Sequence, residues 1–325
     1  VKAVVQDVYG DDVLELRDIE RPVPGPDEVV LRVHAAGVGP DVWHLVTGLP
    51  LPMRLVFGLR RPRNPVPGWD GAGEVAAVGT KVTRFKPGDA VFGQCRGSFA
   101  EFARAKAARI APKPVGTTFE QAAALPVSGV TALQALEGHG RMTDGQKVLI
   151  VGASGGVGSF AVQLAAARGA EVTGVCGTAA VPFVRSLGAR DVIDYTRDEI
   201  TAGPGPYDIV LNAAGNRPLA TLRRVLAPDG TLVHVGGETG GRWNAGVGTQ
   251  LRLALLSPLQ RQTLRGLVAS VRHEDLLALK TLVEEGAVAP VVDRTFPMEE
   301  AVAAVRHLRT GHPRGKVVLG IPLDG

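Results

Sequence analysis

Cysteine is nearly missing from this chain: its 325 residues hold two, Cys95 and Cys176. Two thiols cannot supply a four-ligand structural zinc site or a disulfide framework, and both sit among apolar neighbours as small core residues do. The seven histidines never form a His-x-x-x-His pair, so no metal is expected. Charge of one sign is in small excess, with 36 basic against 32 acidic side chains. The dense basic cluster, Arg60-Arg61-Pro62-Arg63, is short, proline-broken and without interleaved aromatics, and it reads as a solvated loop; no nucleic-acid partner is expected. A long apolar run is also lacking. The charge-free stretch Val148 to Ala167 is interrupted by Gly152, Gly155, Gly156 and Gly158 and carries Gln163, which argues against a membrane span. The opening Val1-Lys2-Ala3-Val4-Val5 is strand-like rather than a secretory signal, so a cytoplasmic protein is expected.

What is present supports sizeable cores: 45% of residues are hydrophobic, and mean hydropathy is +0.12. The interrupted apolar stretch is the most informative part. Val148 to Val151 reads as a buried strand, and Val157 to Ala167 as a helix stopped by Gly169. Between them lies Gly152-x-x-Gly155-x-x-Gly158, a variant of the dinucleotide fingerprint. Strand, glycine turn and helix together aim backbone N–H groups and a helix N-terminus at an anionic diphosphate. A second strand, Glu171 to Cys176, completes the unit.

Residues 1 to about 115 carry alternating β patterns, as in 28–34 and 73–79, broken by Pro and Gly, which suggests a barrel-like β-rich domain. From Thr118, which with Gln121 forms a capping box, strands alternate with helices. Strands are expected at 147–151, 171–176, 191–193, 207–211, 231–235 and 263–270, enough for a doubly wound parallel sheet. The tail is expected to be helical over 274–285, extended over 288–296, helical over 299–310 and a strand over 316–321, returning to complete the first domain.

Four segments resemble one known group. They are 37–48, Pro67 to Val75, Ala122 to Ala132, and Gly145 through Gln163, the last similar to the quinone oxidoreductase signature with Ala166 at its final, usually basic position. Over essentially its whole length the chain resembles the zinc-independent, quinone oxidoreductase (ζ-crystallin)-like members of the medium-chain dehydrogenase/reductase superfamily. The resemblance implies an α/β architecture: a GroES-like β-rich catalytic domain (1–117 and 272–325) and a Rossmann cofactor domain (118–271). Zinc-dependent relatives have cysteine at the position of Gly39 and histidine at that of Trp69, so the resemblance implies no zinc. Quinone oxidoreductases often have Asn in place of Gly39 and an acid in place of Val42; here Asp41 is displaced by one.

The strand-end segment Val175-Cys176-Gly177-Thr178 lacks the acid that receives the NAD ribose, which favours NADPH. The Thr178 hydroxyl is then available to a 2′-phosphate. By resemblance, Tyr195 contacts that phosphate; packing on the adenosine side is the alternative. Coenzyme contacts are further expected from Ser154, Gly155, Gly156 and Val157, and from Asn212, Ala213, Gly236 and Gly237 at strand ends. By resemblance Thr131 lies beside the nicotinamide; a threonine buried in a helix is the alternative. Arg314 and Lys316 either reach the coenzyme or are solvated.

Without a metal to hold alkoxide charge, the fitting substrates are already electrophilic: quinones and α,β-unsaturated carbonyl compounds. His44 is the candidate proton donor, the alternative being a histidine at the surface or one removed from the substrate, and Asp41 and Thr131 are further catalytic candidates. Gly39, Trp43 and Trp243 are pocket candidates, Trp243 being either a lid or a subunit contact. The expected activity is NADPH-dependent reduction of a small-molecule quinone or enone. The alternatives are a carbonyl reductase of alcohol-dehydrogenase type and a non-catalytic nucleotide-binding protein. Pairing of the sixth strand with its twin would make a homodimer.

Overall fold

A computed structural model describes residues 1–10, 12–214, 217–235, 247–309 and 312–322 of the chain. Two compact units result, one of Val1–Val130, Ser270–Gly286 and Pro290–Gly325, the other of Thr131–Ala269 and Ala287–Ala289. The chain begins with β1 (Lys2–Val5), β2 (Glu15–Asp18), β3 (Glu28–Val38), α1 (Pro40–Thr47), α2 (Arg54–Phe57), β4 (Asp70–Val78), β5 (Ala90–Gln94), β6 (Phe102–Lys106) and β7 (Ile110–Pro112). Helices α3 (Phe119–Ala123) and α4 (Pro126–Leu133) lead to β8 (Lys147–Val151), α5 (Gly156–Ala167), β9 (Glu171–Cys176), α6 (Val181–Ser186) and β10 (Asp191–Asp194). Then come β11 (Tyr207–Asn212), α7 (Leu219–Val225), β12 (Leu226–Val235), α8 (Val247–Leu256) and β13 (Thr263–Leu267). The tail forms α9 (His273–Glu284), β14 (Val292–Pro297), α10 (Ala301–Arg309) and β15 (Lys316–Gly320).

In the first unit the main sheet runs β14-β15-β3-β4-β5-β7, with β6 also pairing with β3. Long β3 organises it. Register shifts at Val30/Leu31 and Val33/Ala35 mark irregularities in its pairing with β4. Its first half pairs with β6 and its second half with β15. Such bulges twist a strand so that its two halves can serve different neighbours. The tail strand β15 therefore closes the first unit, as the sequence pattern suggested. Val29, Leu31, Val33, Phe99, Ile110, Val317 and Leu319 are among its apolar core.

That core also contains an ion pair. Asp70 opens β4 and Lys316 opens β15, on either side of β3, and Lys316 Nζ lies 2.9 Å from Asp70 Oδ2 with the side chains 4% and 1% exposed. Asp70 Oδ1 accepts the Val127 N–H at 3.1 Å, which fastens the first turn of α4 to the sheet. This attachment, with α3 against β3 and β4, explains why residues 118–130 belong to the first unit and the boundary falls after Val130 instead of after residue 117. Thr118 and Gln121 form the expected capping box at the start of α3.

Burial pushes the Asp70 carboxyl up to about 6, against the opposing attraction of Lys316. Burial alone would lower the Lys316 ammonium, but Asp70 and Asp41 outweigh it and hold it above its ordinary value.

The second unit is a six-stranded sheet in the order β10-β9-β8-β11-β12-β13, and every pairing in it is parallel. Counted by appearance this is 3-2-1-4-5-6, the doubly wound order whose chain reverses direction between β8 and β11. Val148, Leu149, Ile150 and Val151 are all buried, as a central parallel strand covered on both faces requires. Most expected strands lie within a residue of their positions. Strand β12 starts earlier, because Tyr207 pairs with Leu226 before a register shift sets Ile209 opposite Thr231. Strand β13 ends at Leu267, short of the expected 270.

Lys316→Met should orphan the buried Asp70 carboxylate and cost roughly 3–5 kcal/mol at pH 8. With the ammonium gone, the folded-state pKa of Asp70 rises further above its unfolded value, so the deficit should shrink as pH falls and the carboxyl takes up a proton. Urea unfolding of both proteins from pH 8 to pH 5 measures this; a deficit independent of pH would contradict the ion-pair account.

Candidate functional site

At the end of β8 the chain turns through Gly152 with φ +83°, a left-handed conformation suited to glycine. The Gly152 and Ala153 amides donate to the Val175 carbonyl at 3.1 and 3.0 Å, which ties the turn to β9. Helix α5 then starts at N-cap Gly155 with no side-chain cap and no acid in its first turn. A Cβ on Gly158 would collide with the Gly152 carbonyl oxygen, so glycine there lets the helix lie against the turn. Gly155 differs: a Cβ there would meet only Gly152 O, at 3.6 Å. The fold does not need its bareness, whereas an anion approaching the helix amides does. Ser154, Gly155, Gly156 and Val157 are partly exposed along this turn.

The neighbouring strand ends bring further expected residues to the same edge of the sheet. Cys176 ends β9 and is buried; burial, with Asp194 nearby, pushes its thiol up to about 11, so it stays protonated. Its carbonyl accepts the Tyr195 N–H at 3.1 Å. Gly177 faces the Tyr195 ring, since a Cβ on it would stand 3.3 Å from Tyr195 Oη. The Thr178 hydroxyl, expected to face a phosphate, instead donates to Asp194 Oδ2 at 2.6 Å, with Thr196 Oγ1 at 2.8 Å as a second neighbour. Asp194 also accepts from the Thr196 amide and hydroxyl at 3.0 and 2.8 Å, and Arg197 lies at 3.6 Å. The Thr178 hydrogen bond leads the contacts that hold its carboxyl below the usual range.

Tyr195 is 45% exposed, and the Arg217 guanidinium lies 5.9 Å from its ring centroid. Asn212, at the end of β11, is buried, with its amide nitrogen 3.0 Å from His234 Nδ1. Because the amide donates, His234 Nδ1 accepts, which joins β11 to β12 just below the edge. Burial lowers the His234 pKa, so the ring stays neutral in that role. Ala213 is partly exposed, and its N–H donates to Val151 O at 3.0 Å. Gly236, Gly237 and Trp243 lie outside the described residues. Thr131 is buried in α4.

In the first unit, Gly39 caps α1, and a Cβ on it would collide with Asp41 Oδ1 and stand 2.9 Å from Lys316 Nζ. A carboxylate and an ammonium therefore converge on this position. The Lys316 ammonium, expected as a coenzyme contact or solvated, is turned into the interior against Asp70, with Ser128 Oγ at 3.4 Å. Arg314 is exposed, and its backbone N–H donates to Asp293 at 2.8 Å. The His44 Nδ1–H donates to the Leu49 carbonyl at 2.6 Å, which leaves Nε2 as the ring's remaining polar atom. Trp43 packs edge-on to His44 with ring centroids 5.0 Å apart, and its indole nitrogen is buried without a hydrogen-bond partner among the described residues.

The donor set here does not suit zinc. Beside Gly39 stand Asp41 and an ammonium, and position 69 is Trp. Cys95 is buried, and burial pushes its thiol up to about 12. Among the described residues no group of three or more His, Cys, Asp or Glu could hold a metal ion.

The family described as "Alcohol dehydrogenase GroES-like domain" matches residues 25–115, and that described as "Zinc-binding dehydrogenase" matches 187–319. The chloroplast envelope quinone oxidoreductase homolog of Arabidopsis thaliana is 34% identical, covering 96% of this chain and 95% of that protein. The chain belongs to the quinone oxidoreductase-like family of the medium-chain dehydrogenase/reductase superfamily. A mitochondrial relative in Bos taurus, NAD(P)H oxidoreductase RTN4IP1, is 32% identical over 91% of this chain and 82% of its own length. Among solved structures, the quinone oxidoreductase from Coxiella burnetii superposes with a TM-score of 0.87 at 31% identity, covering 99% of both chains. Membership makes this an NAD(P)H oxidoreductase, and the glycine turn with the uncapped α5 N-terminus fits the coenzyme diphosphate.

Sequence reasoning assigned no role to Arg217, Asp194, His234 or Asp70. Arg217 left a faint signal, a basic residue just past a strand end. Asp194 adjoins Tyr195, but its hold on Thr178 depends on β10 lying beside β9.

Gly155→Ala should leave thermal unfolding unchanged while weakening nucleotide binding about 10- to 100-fold, the effect of obstructing a charge-assisted hydrogen bond. Calorimetric titration with NADPH alongside a melting curve measures both. Unchanged affinity would remove the diphosphate from this turn.

Proposed function

We propose that this protein transfers hydride from NADPH to quinones or α,β-unsaturated carbonyl compounds without a metal. The observation that carries this reading is the charge arrangement at Gly39, where Asp41 and the Asp70-paired Lys316 fill the ground on which zinc-dependent relatives build a metal site. With no Lewis acid to polarise a substrate, the acceptor has to be electrophilic already.

When bound, the nicotinamide supplies the hydride. The amides from Ser154 to Val157 hold the diphosphate, and Thr131 flanks the nicotinamide. His44 is the proposed proton donor. Its Nδ1–H is held by Leu49 O, so the imidazolium form offers Nε2–H to the oxygen of an enolate or quinolate. Asp41, three residues before His44 in the first turn of α1, is the further acidic candidate.

Preference for NADPH rests on the lack of an acid at Val175-Cys176-Gly177-Thr178 and on Arg217 beside Tyr195. Thr178 gives its proton to Asp194, so its hydroxyl is less able to serve a phosphate. Arg217 is then the cation for the 2′-phosphate, with Tyr195 as its platform.

Purified protein should oxidise NADPH in the presence of a quinone or enone, with a rate unaffected by chelator. Arg217→Ala should raise the Kd for NADPH about 10- to 100-fold while changing that for NADH little. No nucleotide oxidation with any acceptor would defeat the activity, and zinc-stimulated turnover would favour a metal-dependent carbonyl reductase. Equal loss for both coenzymes would defeat the role of Arg217.

The same reading makes the protein a cytoplasmic homodimer. Its two cysteines are unbridged and buried, as suits a reducing compartment. Strand β13 lies at a sheet edge, where a twin strand would cover unpaired backbone groups. Sedimentation at micromolar concentration should give twice the chain mass; monomers alone would exclude the dimer.

A further inference from the structure

Between Asp41 and Asp70 the sequence has no acidic residue, yet it carries Arg54, Arg60, Arg61 and Arg63. These four arginines equal the chain's entire excess of 36 basic over 32 acidic side chains. The remainder of the protein is charge-balanced, so its basic character belongs to this one segment.

The same segment presents apolar side chains to solvent. Leu55, Val56 and Leu59 are 69%, 64% and 66% exposed, on α2 and the turn that follows it. Single exposed aliphatic residues are ordinary, but three together beside a basic cluster form a patch. Arg60, Arg61 and Arg63 are exposed beside them, and none makes an ion pair among the described residues.

The segment is firmly anchored. Arg54 folds inward, donating to the Gly48 and Thr47 carbonyls at 3.0 and 3.3 Å and stacking 4.4 Å from the Tyr9 ring centroid. The Tyr9 hydroxyl donates to Gly58 O at 2.7 Å, and the Arg63 amide donates to Phe57 O at 2.7 Å. Phe57 packs edge-on to Trp69. One arginine and three aromatic rings thus serve as the base, while three aliphatic tips and three arginines face outward.

We propose that this surface docks on an anionic lipid bilayer, with Leu55, Val56 and Leu59 entering the boundary between headgroups and acyl chains and Arg60, Arg61 and Arg63 lying at the phosphates. Aliphatic tips beside guanidinium groups match that boundary in both polarity and charge. They suit nucleic acid less well, because no exposed aromatic ring adjoins them for base stacking. No described helix is long and apolar enough to cross a membrane, so the attachment is peripheral. It would bring the protein to the phase in which lipophilic acceptors concentrate.

The full-length protein is incubated with vesicles of phosphatidylcholine alone, or of phosphatidylcholine and phosphatidylglycerol in equal parts, and bound protein is measured by flotation. Binding is expected only to the anionic vesicles and should weaken as salt is raised. Each arginine near such a surface is worth about fivefold, so Arg60→Glu/Arg61→Glu/Arg63→Glu should lose at least about 100-fold. Leu55→Ser/Val56→Ser/Leu59→Ser should also release the protein, while Arg185→Glu/Arg224→Glu, elsewhere on the surface, should not. Melting curves and NADPH titration confirm that each variant is folded. Absence of vesicle binding overturns the proposal, as does binding that survives both triple substitutions. So does an apolar triple variant that changes only the sedimentation coefficient, which would make the patch a self-association surface. Arginine-dependent binding to a DNA duplex without vesicle binding would assign it to nucleic acid.

Discussion

The coenzyme site depends on how closely α5 lies over the end of β8. Gly158 lets the helix settle against the Gly152 carbonyl, and Gly152 makes the turn in a left-handed conformation. This close approach sets the α5 N-terminus beside the carboxyl end of the first strand, where amides without a side-chain cap favour an anion. The parallel sheet then determines what lies nearby. Strand order 3-2-1-4-5-6 puts β9 on one side of β8 and β11 on the other, so the strand-end residues Gly177, Tyr195 and Asn212 share one edge. A bulkier residue at Gly158 would move the helix and alter every distance to that edge.

The first unit depends on a different constraint, a charged pair inside an apolar sheet. Asp70 and Lys316 are nearly inaccessible, and they stay ionised together because each offsets the other's loss of hydration. Asp70 also secures α4 through the Val127 amide, so the pair holds together two strands and a helix. It affects chemistry as well. An ammonium beside Gly39 opposes a second cation there, and Trp69 offers no ligand atom in place of histidine. In the proposed reaction, polarisation comes from the acceptor's own electrophilicity.

Much of the architecture was legible because its causes are local. Val148 to Val151 has to be buried wherever it goes, Gly152 to Gly158 has to turn, and Thr118 with Gln121 has to start a helix. The alternating pattern at 28–34 marked β3, although not its extension to Val38 or the irregular pairing that lets it serve β6 and β15 in different halves. The junction between the units was misplaced by sequence for a similar reason. Residues 118–130 look like the beginning of the helical region, but the Val127–Asp70 hydrogen bond and the packing of α3 on β3 and β4 attach them to the β-rich unit.

Sequence alone determined the glycine cradle and the alternation of strands with helices that follows Thr118, because each follows from residue type and near-neighbour spacing. Tertiary structure decided where the polar groups point. Thr178 gives its proton to Asp194 because β10 lies beside β9, Lys316 turns inward because Asp70 waits across β3, and Arg217 meets Tyr195 only where separate strand ends converge. A hydrogen bond or ion pair forms between atoms a few ångströms apart, and no periodicity along the chain encodes that distance for residues brought together only by folding.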